Sequence, residues 1–246
     1  MRPIVNRFAD ANQVAVAAAT ALRDRILELL SNQDAAHIVL TGGTVGIATL
    51  AQFAELDGLQ AIDFARVHFW WGDERFVARD SADRNALQAR NAMFRHLTVS
   101  ESNIHEFPAA DEGRNLDEAA EDFAATLALH AAPGQSHPSF DVVLLGMGPD
   151  GHVASIFPGK PELKPGVLVF AEHDSPKPPP QRLSFSLELI NSASEVWFVV
   201  AGGDKAEAVS VAFSDEPETL PVGRVSGANK TIWFVDQTAG VRTWGC

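Results

Sequence analysis

Cysteine is almost absent from this 246-residue sequence, and long apolar segments and basic residues are scarce. The single cysteine, Cys246, is the last residue, so it forms no disulfide bond within the chain, which fits a reducing compartment. No window approaches the roughly 18 uncharged apolar residues of a membrane span, and residues 1–10 lack the apolar core of a signal peptide. We therefore expect a cytoplasmic protein that has no membrane partner.

Basic residues are outnumbered: 19 lysines and arginines stand against 32 aspartates and glutamates, for a formal net charge of -13. A domain that tracks nucleic acid usually carries a basic stripe, so we expect no nucleic-acid partner. The field of so acidic a molecule repels a small anionic substrate unless a few cations are concentrated at one site. Such a site would be the most positive concavity on an otherwise negative surface.

Apolar residues are plentiful, at 46% of the chain, and their spacing alternates between helix and strand. The predicted strands are residues 37–40, 67–71, 140–145, 182–185, 195–200 and 231–235. The predicted helices are residues 11–32 after the capping residue Asp10, 44–55 capped by Thr44, 85–94, 116–130 and a segment that ends at Phe213. This alternation indicates an α/β, Rossmann-like doubly wound fold, with a mainly parallel sheet and helices on both faces. No linker or repeat divides it, so we expect residues 1–246 to form one domain.

Glycine or charge follows four of the predicted strands, in residues 41–44, 72–75, 146–152 and 202–205. Ligands of such sheets bind beyond the carboxyl ends of the strands, where the strand order reverses. If all the strands are parallel, the four segments converge on one rim of the sheet. We expect the functional site there.

The first of these segments has the chemistry of a phosphate site. Gly42, Gly43 and Thr44 lead into a helix and offer free backbone N–H groups, a positive dipole end and a hydroxyl. A tight turn between strand and helix is the alternative. The lysine of a P-loop is missing, which argues against a nucleoside triphosphate.

The third segment, residues 146–152, formally matches the glycine spacing of a dinucleotide-binding fingerprint. The helix that should follow would be interrupted at Pro158, and Asp150 would place a negative charge beside the pyrophosphate. We favour a sharp backbone bend that projects Asp150 and His152 into the site. A neutral imidazole can take a proton from water at cytosolic pH, so His152 is the candidate base.

Three cations could bind an anionic substrate: Arg75, Lys205 and, with weaker support, Arg182. No serine-hydrolase Gly-x-Ser-x-Gly motif occurs. The remaining histidines show no metal-ligand spacing and are interpreted as structural or surface residues, and no metal ion is expected; they are His37, His68, His96, His105, His130, His137 and His173.

These segments together resemble the 6-phosphogluconolactonase family, which is related in fold to the glucosamine-6-phosphate deaminases. The matching motifs span nearly the whole chain, at residues 40–44 (LTGGT), 71–75 (WGDER), 84–85 (RN), 144–152 (LLGMGPDGH), 154–155 (AS), 157–159 (FPG), 182–184 (RLS) and 203–209 (GDKAEAV). Val45 and the complete lack of tyrosine depart from the family pattern. Neither departure affects the groups that would carry the reaction.

The resemblance implies a Rossmann-like fold and hydrolysis of 6-phospho-D-glucono-1,5-lactone, a phosphorylated sugar lactone, without a metal or organic cofactor. His152 would act as general base, with Gly42, Gly43, Thr44, Arg75, Lys205 and Arg182 binding the substrate. Asp73 and Asp150 would either orient these groups or bind sugar hydroxyls. The related deaminases carry Phe-Asn-Glu-Pro after the histidine, whereas this chain has Ser-Ile-Phe-Pro at residues 155–158.

Three other functions stay open at this stage. They are a sugar-phosphate deaminase or isomerase, an NAD(P)-dependent oxidoreductase, and a non-catalytic sensor that binds a sugar phosphate. Production of ammonia, binding of nicotinamide cofactor, and binding without lactone turnover would distinguish them in turn. The sequence does not fix the oligomeric state; a monomer is expected, with a weak dimer as the alternative.

Overall fold

The computed structural model describes residues 2–240, so the terminal Cys246 lies outside the described part of the chain. The strands are β1 (Ile4–Phe8), β2 (Ala36–Leu40), β3 (Val67–Trp71), β4 (Asp73–Arg75), β5 (Val142–Leu145), β6 (Val169–Glu172), β7 (Arg182–Phe185), β8 (Glu195–Val200) and β9 (Lys230–Asp236). The helices are α1 (Ala11–Asn32), α2 (Gly43–Ala54), α3 (Asn85–Ala92), α4 (Leu116–Leu129), α5 (Leu187–Asn191) and α6 (Ala206–Ala212).

Six strands form one sheet in the order β1-β9-β8-β5-β2-β3, and every neighbouring pair is parallel. The chain runs outward from β2 to β3 and then returns to the other side of β2 to form β5. The strand order therefore reverses between β2 and β5, which is where ligands bind in sheets of this class. The prediction of a Rossmann-like α/β fold is confirmed.

A second, three-stranded sheet has the order β4-β7-β6 and is antiparallel. The assumption that all strands are parallel is therefore wrong for β7, and residues 73–75 form a strand rather than a loop. Gly72 joins the two sheets, because its N–H donates to Leu40 O at 3.1 Å and its carbonyl accepts from Phe185 N at 2.8 Å. This junction places Asp73 and Arg75 directly beyond the carboxyl end of β3.

The helix boundaries follow local capping chemistry. Helix α1 begins as predicted, with the Asp10 carboxylate accepting from Gln13 N at 2.9 Å. Thr44 is not the cap of α2: that helix starts one residue earlier, with Gly42 at the capping position. Thr44 therefore lies inside the first helical turn, where its hydroxyl is free of a capping role.

The sequence patterns missed four elements, which are β1, β4, β6 and α5. Strand β1 pairs with β9 at the edge of the large sheet and is exposed or half-buried throughout. The long core helix α1 packs against α2, and both Trp70 and Trp71 are fully buried, as expected for packing residues. Among residues 2–240, no helix is long and apolar enough to span a membrane.

Candidate active site

His152 and Asp150 lie in the tight turn that follows β5. The turn closes through two backbone hydrogen bonds of 3.0 Å, from Gly148 N to His152 O and from Gly151 N to Gly148 O. Gly151 has a φ of +76°, which side chains other than glycine rarely adopt. The turn brings His152 Nδ1 to 2.5 Å from Asp150 Oδ1, and the imidazole lines the cavity described below.

Gly148 is required for this arrangement because of the space it leaves empty. A Cβ atom at position 148 would lie 2.0 Å from His152 Cε1 and Nδ1 and 2.4 Å from Asp150 Oδ1. No side chain fits at those distances. The third glycine-rich segment therefore bends to seat a histidine and a carboxylate, as predicted, rather than to approach a pyrophosphate.

Three charged groups set the protonation of His152. Burial lowers the pKa of His152, Asp150 and Asp73 oppose that effect, and the ammonium of Lys177 lowers it further. Burial works against ionisation of Asp150, yet the hydrogen bond from His152 and the charge of Lys177 hold the pKa of that carboxyl below its usual value. The imidazole is therefore neutral, beside an ionised carboxylate, near neutral pH.

Asp73 is buried and fixed from two sides. The Ser155 hydroxyl donates to Asp73 Oδ2 at 2.7 Å, and the Asn85 amide donates to the Asp73 carbonyl at 2.9 Å. Asp73 lies on β4, whereas Ser155 follows the histidine turn. The hydrogen bond between them thus ties β4 to the turn that carries His152.

Arg75 is held by the start of helix α3. Its Nη1 donates to Asn85 Oδ1 and to the Asp83 carbonyl, each at 2.7 Å. Asn85 in turn packs against Gly42, where a Cβ would lie 1.9 Å from Asn85 Oδ1. One asparagine therefore joins the predicted phosphate loop to the predicted phosphate-binding arginine.

Glu74, next to Arg75, points away from the cavity and caps α3. Its buried carboxylate accepts from Asn85 N at 2.7 Å and from Ala86 N at 2.8 Å, with Arg84 Nη2 at 3.8 Å. Burial raises the pKa of Glu74 to about 7, although Arg84 and the backbone donors oppose the rise. Along β4, the side chains of Asp73 and Arg75 thus face the cavity, whereas that of Glu74 between them positions α3.

Lys177 is a site residue that sequence reasoning missed. Its Nζ lies 3.2 Å from His152 Nδ1 and 3.4 Å from Asp150 Oδ1, although it belongs to the proline-rich loop 25 residues further along the chain. Arg182 holds that loop, since Nη2 donates to the carbonyls of Lys177 at 3.1 Å and Pro178 at 3.3 Å. Its cluster of prolines marks a loop, but no local pattern shows that the loop folds back over the histidine.

The cavity formed by these groups has a volume of about 550 Å³ and lies over the point where the strand order reverses. It brings together almost every predicted site residue, and its walls include Gly42, Gly43, Thr44, Asp73, Arg75, His152, Arg182 and Lys205. Asp150 does not line it but lies behind His152. Lys205 pairs with Asp204 at 3.0 Å at the entry to α6. The predicted convergence of the four segments is found.

A parallel α/β sheet with a cavity lined by cations, glycines and a carboxylate-paired histidine at its reversal point is typical of a ligand-binding protein of the Rossmann-like class. The family model of glucosamine-6-phosphate isomerases/6-phosphogluconolactonase matches residues 9–233. The chain belongs to this family, and it is an enzyme of the 6-phosphogluconolactonase type.

Relatives and solved structures agree with this assignment. The chain is 39% identical to the 6-phosphogluconolactonase of Mycobacterium leprae over 249 residues, which cover 100% of both chains. It is 40% identical to that of Streptomyces coelicolor over 237 residues, covering 94% of this chain and 90% of the relative. The structure of 6-phosphogluconolactonase from Trypanosoma brucei superposes with a TM-score of 0.83 at 26% identity, covering 97% of each chain.

Proposed function

We propose that this enzyme hydrolyses 6-phospho-D-glucono-1,5-lactone to 6-phospho-D-gluconate, the second step of the oxidative pentose phosphate pathway. The observation that carries the proposal is the pairing of His152 with Asp150 at the wall of a cation-lined cavity. Lactone hydrolysis needs one base to activate water, and this pair supplies one. The similarity to full-length 6-phosphogluconolactonases supports the same substrate.

The hydrogen bond to Asp150 sets the direction of proton transfer. We assign the proton of the neutral imidazole to Nδ1, which donates it to Asp150 and leaves Nε2 as the base. Nε2 takes a proton from water as the water oxygen attacks C1 of the lactone. The bond from C1 to the ring oxygen then breaks, and the imidazolium returns the proton to that oxygen. The base is regenerated, and no cofactor is consumed.

The phosphate group would be bound at the amino end of α2. Gly42, Gly43 and Thr44 offer N–H groups and a hydroxyl there, at the positive end of a 12-residue helix. Arg75 and Lys205 line the same cavity and supply positive charge. Because the lactone is an activated ester, positioning and stabilisation of the developing oxyanion provide most of the acceleration.

Arg182 has a different proposed part from the other cations. Its Nε and Nη2 donate to the carbonyls of Pro179, Lys177 and Pro178, so these nitrogens are engaged by the loop. It still lines the cavity, where its charge attracts an anion. We propose that Arg182 contributes charge to the site while it positions Lys177.

The test is a lactonase assay in which spontaneous hydrolysis is subtracted. We expect His152→Ala to lose about 100-fold to 10,000-fold in kcat, the usual contribution of a positioned base. His96→Ala is the control, because His96 is exposed and accepts a hydrogen bond from the neighbouring Arg95. Near-parental kcat in His152→Ala would refute the assignment of His152 as the base. Release of ammonia from glucosamine 6-phosphate, or binding of 6-phosphogluconate without lactone turnover by the parental enzyme, would refute the reaction.

A further inference from the structure

Three histidines from separate parts of the chain meet at the edge of the large sheet, away from the catalytic cavity. His68 lies on the edge strand β3, His105 lies beside that strand with its N–H donating to Phe69 O at 2.8 Å, and His130 is the carboxyl-terminal capping residue of α4. His68 Nδ1 and His105 Nε2 are 3.0 Å apart, and one ring nitrogen from each of the three lies within 4.8 Å of the others. Within residues 2–240 this is the one group of three or more histidine, cysteine, aspartate or glutamate side chains close enough together to hold a metal ion.

Packing fixes the orientation of these rings. The Trp70 indole stacks on His105 with centroids 3.8 Å apart, and His37 stacks on His68 at 4.7 Å. His130 meets the His105 ring edge-on at 4.3 Å. The stacking restrains the rings while leaving their nitrogens facing one another. The histidines that looked dispersed in the sequence are therefore gathered by the fold.

Two of the three side chains are held in the neutral form that a metal ligand needs. Burial, together with the neighbouring histidines, lowers the pKa of His105 to about 3, and burial and His130 lower that of His68. His68 and His105 are therefore neutral near neutral pH, and the proton shared between His68 Nδ1 and His105 Nε2 would move to the far nitrogen of its ring when a metal ion binds. No carboxylate among the described residues forms an ion pair with any of the three side chains.

We propose that His68, His105 and His130 form a binding site for a divalent transition-metal ion of the Zn²⁺ type. Imidazole nitrogen is a preferred ligand of Zn²⁺, Cu²⁺ and Ni²⁺, and a fourth position stays open to water because two of the rings are half-buried. The ion would link the end of α4 to β3, the edge strand of the sheet. Its role is structural.

The geometry requires only a small closure of the site. With Zn–N bonds of about 2.0–2.1 Å in a tetrahedron, ligand nitrogens are roughly 3.3 Å apart. The pair formed by His68 and His105 is already at 3.0 Å, so the main movement falls to His130. That residue ends a helix and is half-buried, where a ring can turn at little cost.

The site is separate from the lactonase site. His68 is the second residue of β3, whereas the catalytic cavity lies beyond the last residue of the parallel strands. The three remaining residues of β3 span roughly 10 Å, which separates His68 from the catalytic cavity. Metal binding here and lactone hydrolysis there can therefore be tested independently.

The experiment titrates chelator-treated enzyme with Zn²⁺ by calorimetry and with Co²⁺ by visible absorption. We expect the parental protein and His96→Ala to bind one equivalent with the intense d–d bands of a four-coordinate site. His130→Ala and His68→Ala should each lose at least about tenfold in affinity, with those bands lost or shifted. Lactonase activity of His130→Ala should stay at the parental level.

Two results with the variants would overturn the proposal. One is binding of Zn²⁺ by His130→Ala and His68→Ala as tight as that of His96→Ala. The other is loss of the same equivalent in His152→Ala, which would place the ion in the catalytic cavity. A parental protein that binds no equivalent also refutes the site. Because His68 is in a strand, its replacement by alanine could disturb the fold. The titrations are therefore repeated with His68→Gln and His130→Gln, in which the side chain is closer in size to histidine, and each variant is checked by circular dichroism before titration.

Discussion

Replacing Gly148 with alanine should remove most of the lactonase activity while leaving the fold intact. The added Cβ would lie 2.0 Å from His152 Cε1 and Nδ1, whereas ordinary contacts between heavy atoms are about 3.5 Å or longer. The imidazole must therefore retreat by roughly 1.5 Å. Phe157 packs against the ring with centroids 4.7 Å apart, and Asp150 holds Nδ1, so the retreat breaks the arrangement that positions the base.

A displacement of this size is large for catalysis. A misplacement of about 1 Å costs on the order of 100-fold, so we expect kcat of Gly148→Ala to fall by at least that factor. The loss should approach that of His152→Ala. Overpacking of this kind costs about 1–3 kcal/mol of stability, which a chain of this size tolerates.

The assay measures the proton released as the lactone becomes a carboxylic acid, after subtraction of spontaneous hydrolysis. Gly72→Ala is the matched control, because the nearest atoms to its Cβ are 3.8 Å away and Gly72 does not line the cavity. It should keep near-parental kcat. If Gly148→Ala retained kcat within about threefold of Gly72→Ala, with both variants folded by circular dichroism, the placement of His152 as the base would be refuted.

Three further predictions concern the charges around the two histidine sites. Lys177→Met should move the acid limb of the kcat/KM profile to higher pH, because the pKa of His152 is lowered first by burial and then by that ammonium; an unmoved limb contradicts the contact. Arg75→Ala should raise KM for the phosphorylated lactone and abolish its preference over unphosphorylated gluconolactone; an unchanged preference removes Arg75 from the phosphate site. Burial lowers the pKa of His105 to about 3, whereas the pKa in the unfolded chain is 6.5. The unfolded chain therefore binds the proton first, so the contribution of neutral His105 to stability is complete above pH 6.5 and is lost as pH falls below that value. In urea unfolding, the free energy of unfolding should fall between pH 7 and pH 5 by about 2 kcal/mol less in His105→Gln than in His96→Gln. Equal decreases in the two variants would refute the lowered pKa of His105.

Six strands were predicted correctly, namely β2, β3, β5, β7, β8 and β9, and most of them are buried on both faces. Strands β2, β3, β5 and β8 are nearly continuous apolar runs, a pattern that only a covered parallel sheet produces. Strand β1 escaped because it is an edge strand, and Asn6 and Arg7 interrupt its apolar pattern. Its residues are exposed or half-buried, so its sequence carries little signal, whereas β3 is also an edge strand but is almost fully buried.

The candidate site divides in the same way. Residues 41–44, 146–152 and 202–205 could be located because each directly follows a strand of the parallel sheet, and strand direction alone brings them to one rim. Lys177 and the histidine cluster depend instead on long-range packing. Lys177 reaches His152 through a loop held by Arg182, and His130 reaches His68 through the position of α4. No local spacing encodes either contact.

The net charge of -13 and an anionic substrate are reconciled by short-range contacts rather than by a positive field. Four cations line the cavity: Arg75, Lys177, Arg182 and Lys205. Three carboxylates line it too: Asp73, Asp204 and Asp236. The cavity therefore has an excess of a single positive charge. Two of the carboxylates face inward as acceptors, since Asp236 accepts from Gly202 N at 3.1 Å and Asp73 accepts from Ser155. The cations are fixed by neutral carbonyls, an amide or a single carboxylate. Such donors need no reorganisation when a phosphate arrives, so specificity comes from their placement and not from attraction at a distance.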